Sequence, residues 1–263
     1  DSLIPPYMMV GTIVLVLMLI FIFTKLPVIK EENEADELQI AENAPTSALL
    51  KHPLFVLAVV AQFLYVAAQT GVNSFFINYT TEAIDGLQRS IGAMMQHLGL
   101  FGEVFMPKNA EQAASLILAL GGMGSFWIGR LLGAYLMKFI SPRKLLAIYG
   151  LINTLLLTLG VRQRGWSWAS SRGSTYFCMS IMFPTIFAIG LRGLGPLTKK
   201  AASFLVMAVA GGAFCPPIMG AIGDHLGMSA AFIIPLVCFL FIGIFGILTR
   251  TRFKDQFKEG GEG

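Results

Sequence analysis

Residues 53–79 read PLFVLAVVAQFLYVAAQTGVNSFFINY. The run carries no charge, and as a helix at 1.5 Å per residue it can cross roughly 30 Å of hydrocarbon. Its amides Gln62, Gln69, Asn73 and Asn78 are the anomaly. An unpaired amide in such a medium is expensive, so these groups need partners or a wet surface.

Similar runs recur along the chain. Seven apolar stretches, near 7–24, 53–79, 113–137, 144–161, 174–191, 201–223 and 229–249, are each about 17 residues or longer. Of the 263 residues 55% are hydrophobic and 13% charged, against about 25% charged in a soluble domain. Only helices satisfy their own backbone within each segment in lipid, so the fold class is an all-α polytopic membrane protein in a lipid bilayer. The chain opens with Asp1, and the expectation is that its natural start lies further upstream. The stretch at 7–24 follows Pro5-Pro6, lacks a basic leader and a small-residue cleavage site, and reads as a membrane helix rather than a signal peptide.

Charge placement predicts orientation. With residue 1 outside, Lys25, Lys30, Lys51, Lys138, Arg143, Lys144, Arg192, Lys199, Lys200, Arg250, Arg252, Lys254 and Lys258 share one face. The other face holds Arg89, Lys108, Arg162, Arg164 and Arg172, the last three against the trend. The basic face is expected to be cytoplasmic, with the C-terminus inside a cell inner membrane. The net charge of +4 thus reports topology. No basic-aromatic soluble patch is present, and no nucleic-acid partner is expected.

Residues 25–52 read as a solvated, partly helical linker with an acidic run at Glu31, Glu32, Glu34, Asp36 and Glu37. Residues 80–112 form a second long polar segment, expected outside, with SIGAMMQHLGLFGEVF (90–105) suited to an interfacial helix. The sequon Asn78-Tyr79-Thr80 is assigned no role. Gly121, Gly122, Gly124, Gly129 and Gly133 cluster in one span, and Gly129-x-x-x-Gly133 is the spacing that lets two helices approach closely. Pro184, Pro216 and Pro217 fall inside spans and are expected to bend or break them. Cys178, Cys215 and Cys238 also lie inside spans, without pairing or metal spacing.

The stretch GRLLGAYLMKFISPRKLL (129–146) resembles the helix–basic loop–helix signature of the major facilitator superfamily in its second-half form. YVAAQTGVNSFFINYTTE (65–82) and SIMFPTIFAIGLRGLGPLTKKAASFLVMAVAGGAFCPPIMGAIGD (180–224) resemble the C-terminal half of the fucose permease family. KLPVIKEE (25–32) is similar to the start of that family's central loop. The resemblance covers about residues 7–250 and implies twelve helices in two bundles, with substrate held between them near the bilayer midplane. This chain would supply the last helix of the N-terminal bundle (1–24), the central linker (25–52), the C-terminal six-helix bundle (53–250) and a cytoplasmic tail (251–263). The implied function is cation symport of a monosaccharide, of the fucose, glucose or galactose type, with H+ or Na+ as coupling ion. The coupling carboxylates would belong to the N-terminal bundle, which becomes a necessary partner.

Against that frame the polar positions become candidates for sugar contact. Tyr65, Gln69 and Asn73 are spaced i, i+4, i+8 on one helix face, with Gln62 and Phe76 beside it. Amides donate to and accept from sugar hydroxyls, and an aromatic ring covers the apolar face of a pyranose. The alternative is hydrogen bonding between helices. Arg130 is the charge deepest in any span, about 12 Å of helix from Lys138 at 1.5 Å per residue. It could bond sugar hydroxyls, pair with a carboxylate of the other bundle, or cap carbonyls of a broken helix. Phe183, before Pro184, could stack on a sugar or simply pack. Asn153 and Ser203 are expected to make helix contacts. An enzyme needs converging His, Asp, Glu or Cys groups. His52, His97 and His225 fall at span ends, so no catalytic residue, cofactor or metal site is assigned. A transporter of a different small solute remains open.

Overall fold

The computed structural model describes residues 4–24, 46–162 and 166–252, in two compact units divided between Gln39 and Ile40. The first unit contributes one described helix, α1 (Ile4–Phe23), 20 residues long. Pro5 and Pro6 stand in its first turn, where a missing N–H breaks no helical bond. The acidic run at 31–37 lies outside the described residues, and the short α2 (Thr46–Leu50) follows.

The second unit is built on six rods long and apolar enough to cross a membrane, among the described residues. The first is α3 (Pro53–Ala83), 31 residues, with Pro53 at its first helical position. At 1.5 Å per residue it is about 46 Å long, so it tilts in a bilayer or projects beyond it. Two short helices cover one end of the bundle, α4 (Leu87–Gln96) and α5 (Gly99–Val104). They stand where a single interfacial helix was expected. Leu87, Ile91 and Met95 of α4, spaced i, i+4, i+8, are buried against the protein, and Gln88 Nε2 donates to Lys108 O at 2.8 Å.

The second rod joins α6 (Ala110–Leu116), a π-helical stretch Ile117–Met123 and α7 (Gly124–Leu136). Then come α8 (Pro142–Arg162) and a broken rod of α9 (Trp166–Met179) and α10 (Met182–Leu191). The fifth is α11 (Thr198–Met207) and α12 (Gly211–Leu226), joined through a 3-10 turn at Ala208–Ala210. The last comprises α13 (Met228–Ala231) and α14 (Ile233–Thr251). Each expected span after the linker is thus present, with ends shifted by a few residues.

Packing follows the small residues. The pair α8–α14 has the most extensive contact, and α3 is central, packing on α10, α12 and α14. A methyl added at Gly150 would stand 2.6 Å from Gly243 N, and one at Gly246 would stand 2.6 Å from Ala147 N. Two backbones meet there as small residues in membranes allow. The Gly129-x-x-x-Gly133 face behaves as its spacing implies: a methyl at Gly129 would stand 2.5 Å from Phe177 O, and one at Gly133 would strike Ile181. On the other side of α3, a methyl at Gly71 would stand 2.6 Å from the Cys215 sulfur. The three cysteines are free and buried.

Of the prolines expected to bend or break spans, only Pro184 stands within a turn of a break. Pro184 sits inside α10, but the rod breaks at Ser180 and Ile181. A proline lacks the N–H that would bond the carbonyl four residues back, and its ring crowds that carbonyl. Pro216 and Pro217 lie within a continuous α12, and the 3-10 joint precedes them.

Candidate functional site

The helix break organises one cluster of the expected residues. Ser180 donates both its N–H (3.3 Å) and its hydroxyl (2.7 Å) to Phe177 O. Tyr65, fully buried on α3, donates its hydroxyl to Met179 O at 2.8 Å. Its ring meets Phe183 edge-on at 6.2 Å, and Phe183 stacks on Phe187 at 6.4 Å with 10° between planes. Tyr65 therefore caps a carbonyl at the break, and Phe183 belongs to an aromatic ladder beside it.

Arg130 stands on α7, whose Gly129 and Gly133 face α9 and the break. The Arg130 side chain is exposed, as are Trp127 and Leu131 on the same helix. It makes no hydrogen bond with another described residue. Carboxylates occur only in terminal turns of the described rods, at Glu82, Glu111 and Asp224.

The amides form a second group along α3. Gln62 is fully buried, and neither its Nε2 nor its Oε1 has a hydrogen-bond partner among the described residues. Gln69 is half-buried and makes no hydrogen bond there either. Asn73 is half-buried with a buried, partnerless Oδ1. Asn78 is exposed, as expected of a residue near the membrane boundary. Within its sequon Thr80 is buried and bonded to Phe76 O at 2.5 Å. The structure thus brings Tyr65 and Phe183 together at the break and places Gln62, Gln69 and Asn73 on the same helix as Tyr65, with Arg130 exposed on α7.

Two features escaped sequence reading. Asn153, expected to make helix contacts, is fully buried, and neither side-chain amide atom has a hydrogen bond among the described residues. One turn earlier, the Tyr149 hydroxyl is also buried without a hydrogen bond. The i, i+4 spacing of a phenol and an amide inside an apolar helix was the available signal. The second is the π-helical stretch at Ile117–Met123, a form that often marks functional sites. Its Gly121-Gly122 pair gave no hint of the change in winding. Ser203 is exposed and back-bonds to Lys199 O at 3.4 Å. Among the described residues no group of three His, Cys, Asp or Glu could hold a metal ion.

Two clefts lie away from these residues. One of about 390 Å³ is lined by Phe105, Met106, Lys108, Gln112 and Ser115 near α6. Another of about 200 Å³ lies between the start of α8 and the end of α10.

No family model matches the chain. It is 34% identical over 252 residues to the L-fucose-proton symporter of Escherichia coli (strain K12), covering 95% of this chain and 51% of that protein. It is 30% identical over 244 residues to a glucose/galactose transporter of Brucella abortus, covering 92% and 52%. In structure it matches the major facilitator superfamily transporter FucP in its outward conformation, with TM-score 0.71 and 34% identity over 92% of this chain and 53% of that one. The chain spans about half the length of the curated relatives it matches. The chain has the fold of a major facilitator superfamily transporter, and its homologues are L-fucose-proton symporters and glucose/galactose transporters.

Proposed function

We propose that this chain is the C-terminal half of a monosaccharide–cation symporter that works by alternating access. Residues 1–24 would close the N-terminal bundle, 25–52 would link the bundles, 53–250 would form the second bundle and 251–263 a cytoplasmic tail. The observation that carries the proposal is the half-buried amide pair Gln69 and Asn73, on the helix that also carries Tyr65. Polar groups in a membrane interior are retained where they face a solute, water or another polar group. Amides in that position can donate to and accept from sugar hydroxyls at once.

Other residues take distinct roles in this reading. Tyr65 and Phe183 hold the break in shape and offer ring edges toward the pathway. Gln62, sealed in this conformation, becomes available only if the bundle rearranges. Arg130, exposed at mid-span, would meet sugar hydroxyls or a carboxylate of the N-terminal bundle, where its charge would favour the ionised form. A site completed by a second bundle is open on one side in the first, which accounts for the absence of these residues from both clefts. The coupling ion is a proton, as the name of the fucose relatives suggests. The distribution of Lys and Arg supports a cytoplasmic C-terminus in the cell inner membrane.

Uptake of labelled fucose, galactose, glucose and N-acetylglucosamine into proteoliposomes tests this for the full-length protein, with and without an imposed proton gradient. Gradient-dependent accumulation of one sugar is expected. Folded protein that accumulates none of them would move the function to another solute within the same superfamily.

A further inference from the structure

The seam between α3 and α10 closes over Gln62. Ala58, Gln62 and Tyr65, spaced i, i+4, i+7 on α3, are all fully buried. The residues on either side of Gln62 both meet α10: a methyl added at Gly190 would stand 2.8 Å from Ala58 Cβ, and the Tyr65 ring meets Phe183 at 6.2 Å. Across the seam Met182, Ile186 and Ile189 of α10 are buried as well. Gln62 thus stands between two contacts with α10, and its Nε2 and Oε1 have no hydrogen-bond partner among the described residues. An amide enclosed in this way forfeits the hydrogen bonds that it makes with water. A conformation that wets it does not carry that cost.

The helix facing Gln62 is built to move as a piece. α10 has ten residues, and both of its ends are uncoupled from the helices next to it. At one end Pro184 has no N–H to offer the Ser180 carbonyl, and the rod breaks at Ser180 and Ile181. At the other, Gly193 and Gly195 take φ of 76° and 51°, which side-chain-bearing residues rarely adopt. Between these joints lies a rigid segment about 15 Å long. The Tyr65 hydroxyl, bonded to Met179 O at 2.8 Å, holds the fixed side of the break. Water has a short way to travel, because Gln69, seven residues from Gln62 and about 10 Å along the same helix, is already half-buried.

We propose that α10 is a flap pivoting at Ser180–Ile181 and at Gly193, and that Gln62 is the group that favours its opening. Movement of α10 away from α3 admits water to the amide, which is then satisfied. The unpaired amide keeps the closed seam from becoming too stable to open. The use of such a flap rests on the transporter reading above, in which a polar path is exposed and resealed in each cycle.

The test is amide hydrogen exchange, followed by mass spectrometry, on the full-length protein in micelles. It uses no sugar and no ion gradient, so its outcome does not depend on what the protein carries. Gln62→Met keeps the length of the side chain and removes the amide. Exchange over α10 is expected to slow about fivefold or more, as the lost hydration of one buried amide implies, with exchange over α14 unchanged. Faster exchange over α10 would overturn the inference, because the amide would then have a partner in the closed seam. Equal slowing of α10 and α14 would also overturn it, reducing Gln62 to general packing, and so would no change in either. Pro184→Ala restores an N–H at the pivot and is expected to slow exchange over α10 as well. It carries the test if Gln62→Met fails to fold, and unchanged exchange there would overturn the pivot. A wild-type protein that takes up no sugar yet gives the expected pattern of exchange would support the flap while removing the transporter reading.

Discussion

Tyr65→Phe separates two roles that the sequence leaves combined. The substitution removes a single oxygen and keeps the ring that meets Phe183 at 6.2 Å. What is lost is the 2.8 Å bond to Met179 O, at a break where the neighbouring Phe177 carbonyl already accepts two bonds from Ser180. Side-chain hydrogen bonds in membrane bundles contribute about 0.6 kcal/mol on average and about 1.7 at most. Tyr65 is fully buried, so water cannot readily replace its hydroxyl. The expected loss is therefore toward the upper end, about 1–1.7 kcal/mol. Tyr65→Ala also empties the ring's volume and is expected to cost about 3–5 kcal/mol. Equilibrium unfolding of the full-length protein in mixed micelles measures both, and sugar affinity is measured on the same samples. The expected outcome for Tyr65→Phe is lower stability with affinity changed by no more than about twofold. Unchanged stability with a large loss of affinity would refute this reasoning, because the hydroxyl would then serve the solute rather than the break.

Gln69→Ala and Asn73→Ala are each expected to raise the KM for sugar uptake about three- to tenfold, one hydrogen bond's worth, while expression is unchanged; unaltered kinetics in both would remove them from the site, and Arg130→Ala, measured in the same assay, is expected to lower uptake about a hundredfold. Gly129→Ala places a methyl 2.5 Å from the Phe177 carbonyl and is expected to destabilise the bundle by about 1–3 kcal/mol. Gly124→Ala, where nothing lies within 4 Å, is expected instead to be neutral or stabilising by up to about 1 kcal/mol, so equal unfolding curves for the two would deny the close α7–α9 approach. Asn153→Leu replaces a fully buried amide that makes no hydrogen bond among the described residues, and thermal unfolding is expected to show a gain of about 1–3 kcal/mol. A loss of stability would mean that a buried water or other partner satisfies Asn153.

The rods were legible because lipid imposes one rule on every residue of a span, and a run such as 53–79 obeys it without reference to the rest of the chain. The approach at Gly129 and Gly133 was legible for a similar reason, since both contacts lie on one helix at a fixed spacing. The closer approach of α8 and α14 was not, because it is assembled from Gly150 on one helix and Gly243 and Gly246 on another, 93 positions on from the first to the second. No local pattern links them. Pro184 announced a break, but its place depends on the carbonyl it displaces, so the interruption stands at Ser180 and Ile181. The π-helical stretch had no local signal of its own, because widening a turn depends on what the neighbouring helices accept.

The candidate site was legible as a set of residues on a face but not as a set of partners. Gln62, Gln69 and Asn73 look equivalent in sequence, three amides on one side of one helix. In the bundle Gln62 is sealed, while Gln69 and Asn73 sit at the margin of the packed face. Tyr65 is set apart from all three by one acceptor, a carbonyl 114 positions away. That acceptor exists only because a different helix breaks at the same depth. A polar group whose hydrogen bond closes inside the bundle contributes to its shape. One left half-buried at its margin can be satisfied by what moves past it. In the proposed function Tyr65 and Ser180 hold the break, and Gln69 and Asn73 would be the groups that meet a solute. The same division explains why Tyr65→Phe and Gln69→Ala, each removing hydrogen-bonding capacity from one helix, are expected to change different observables.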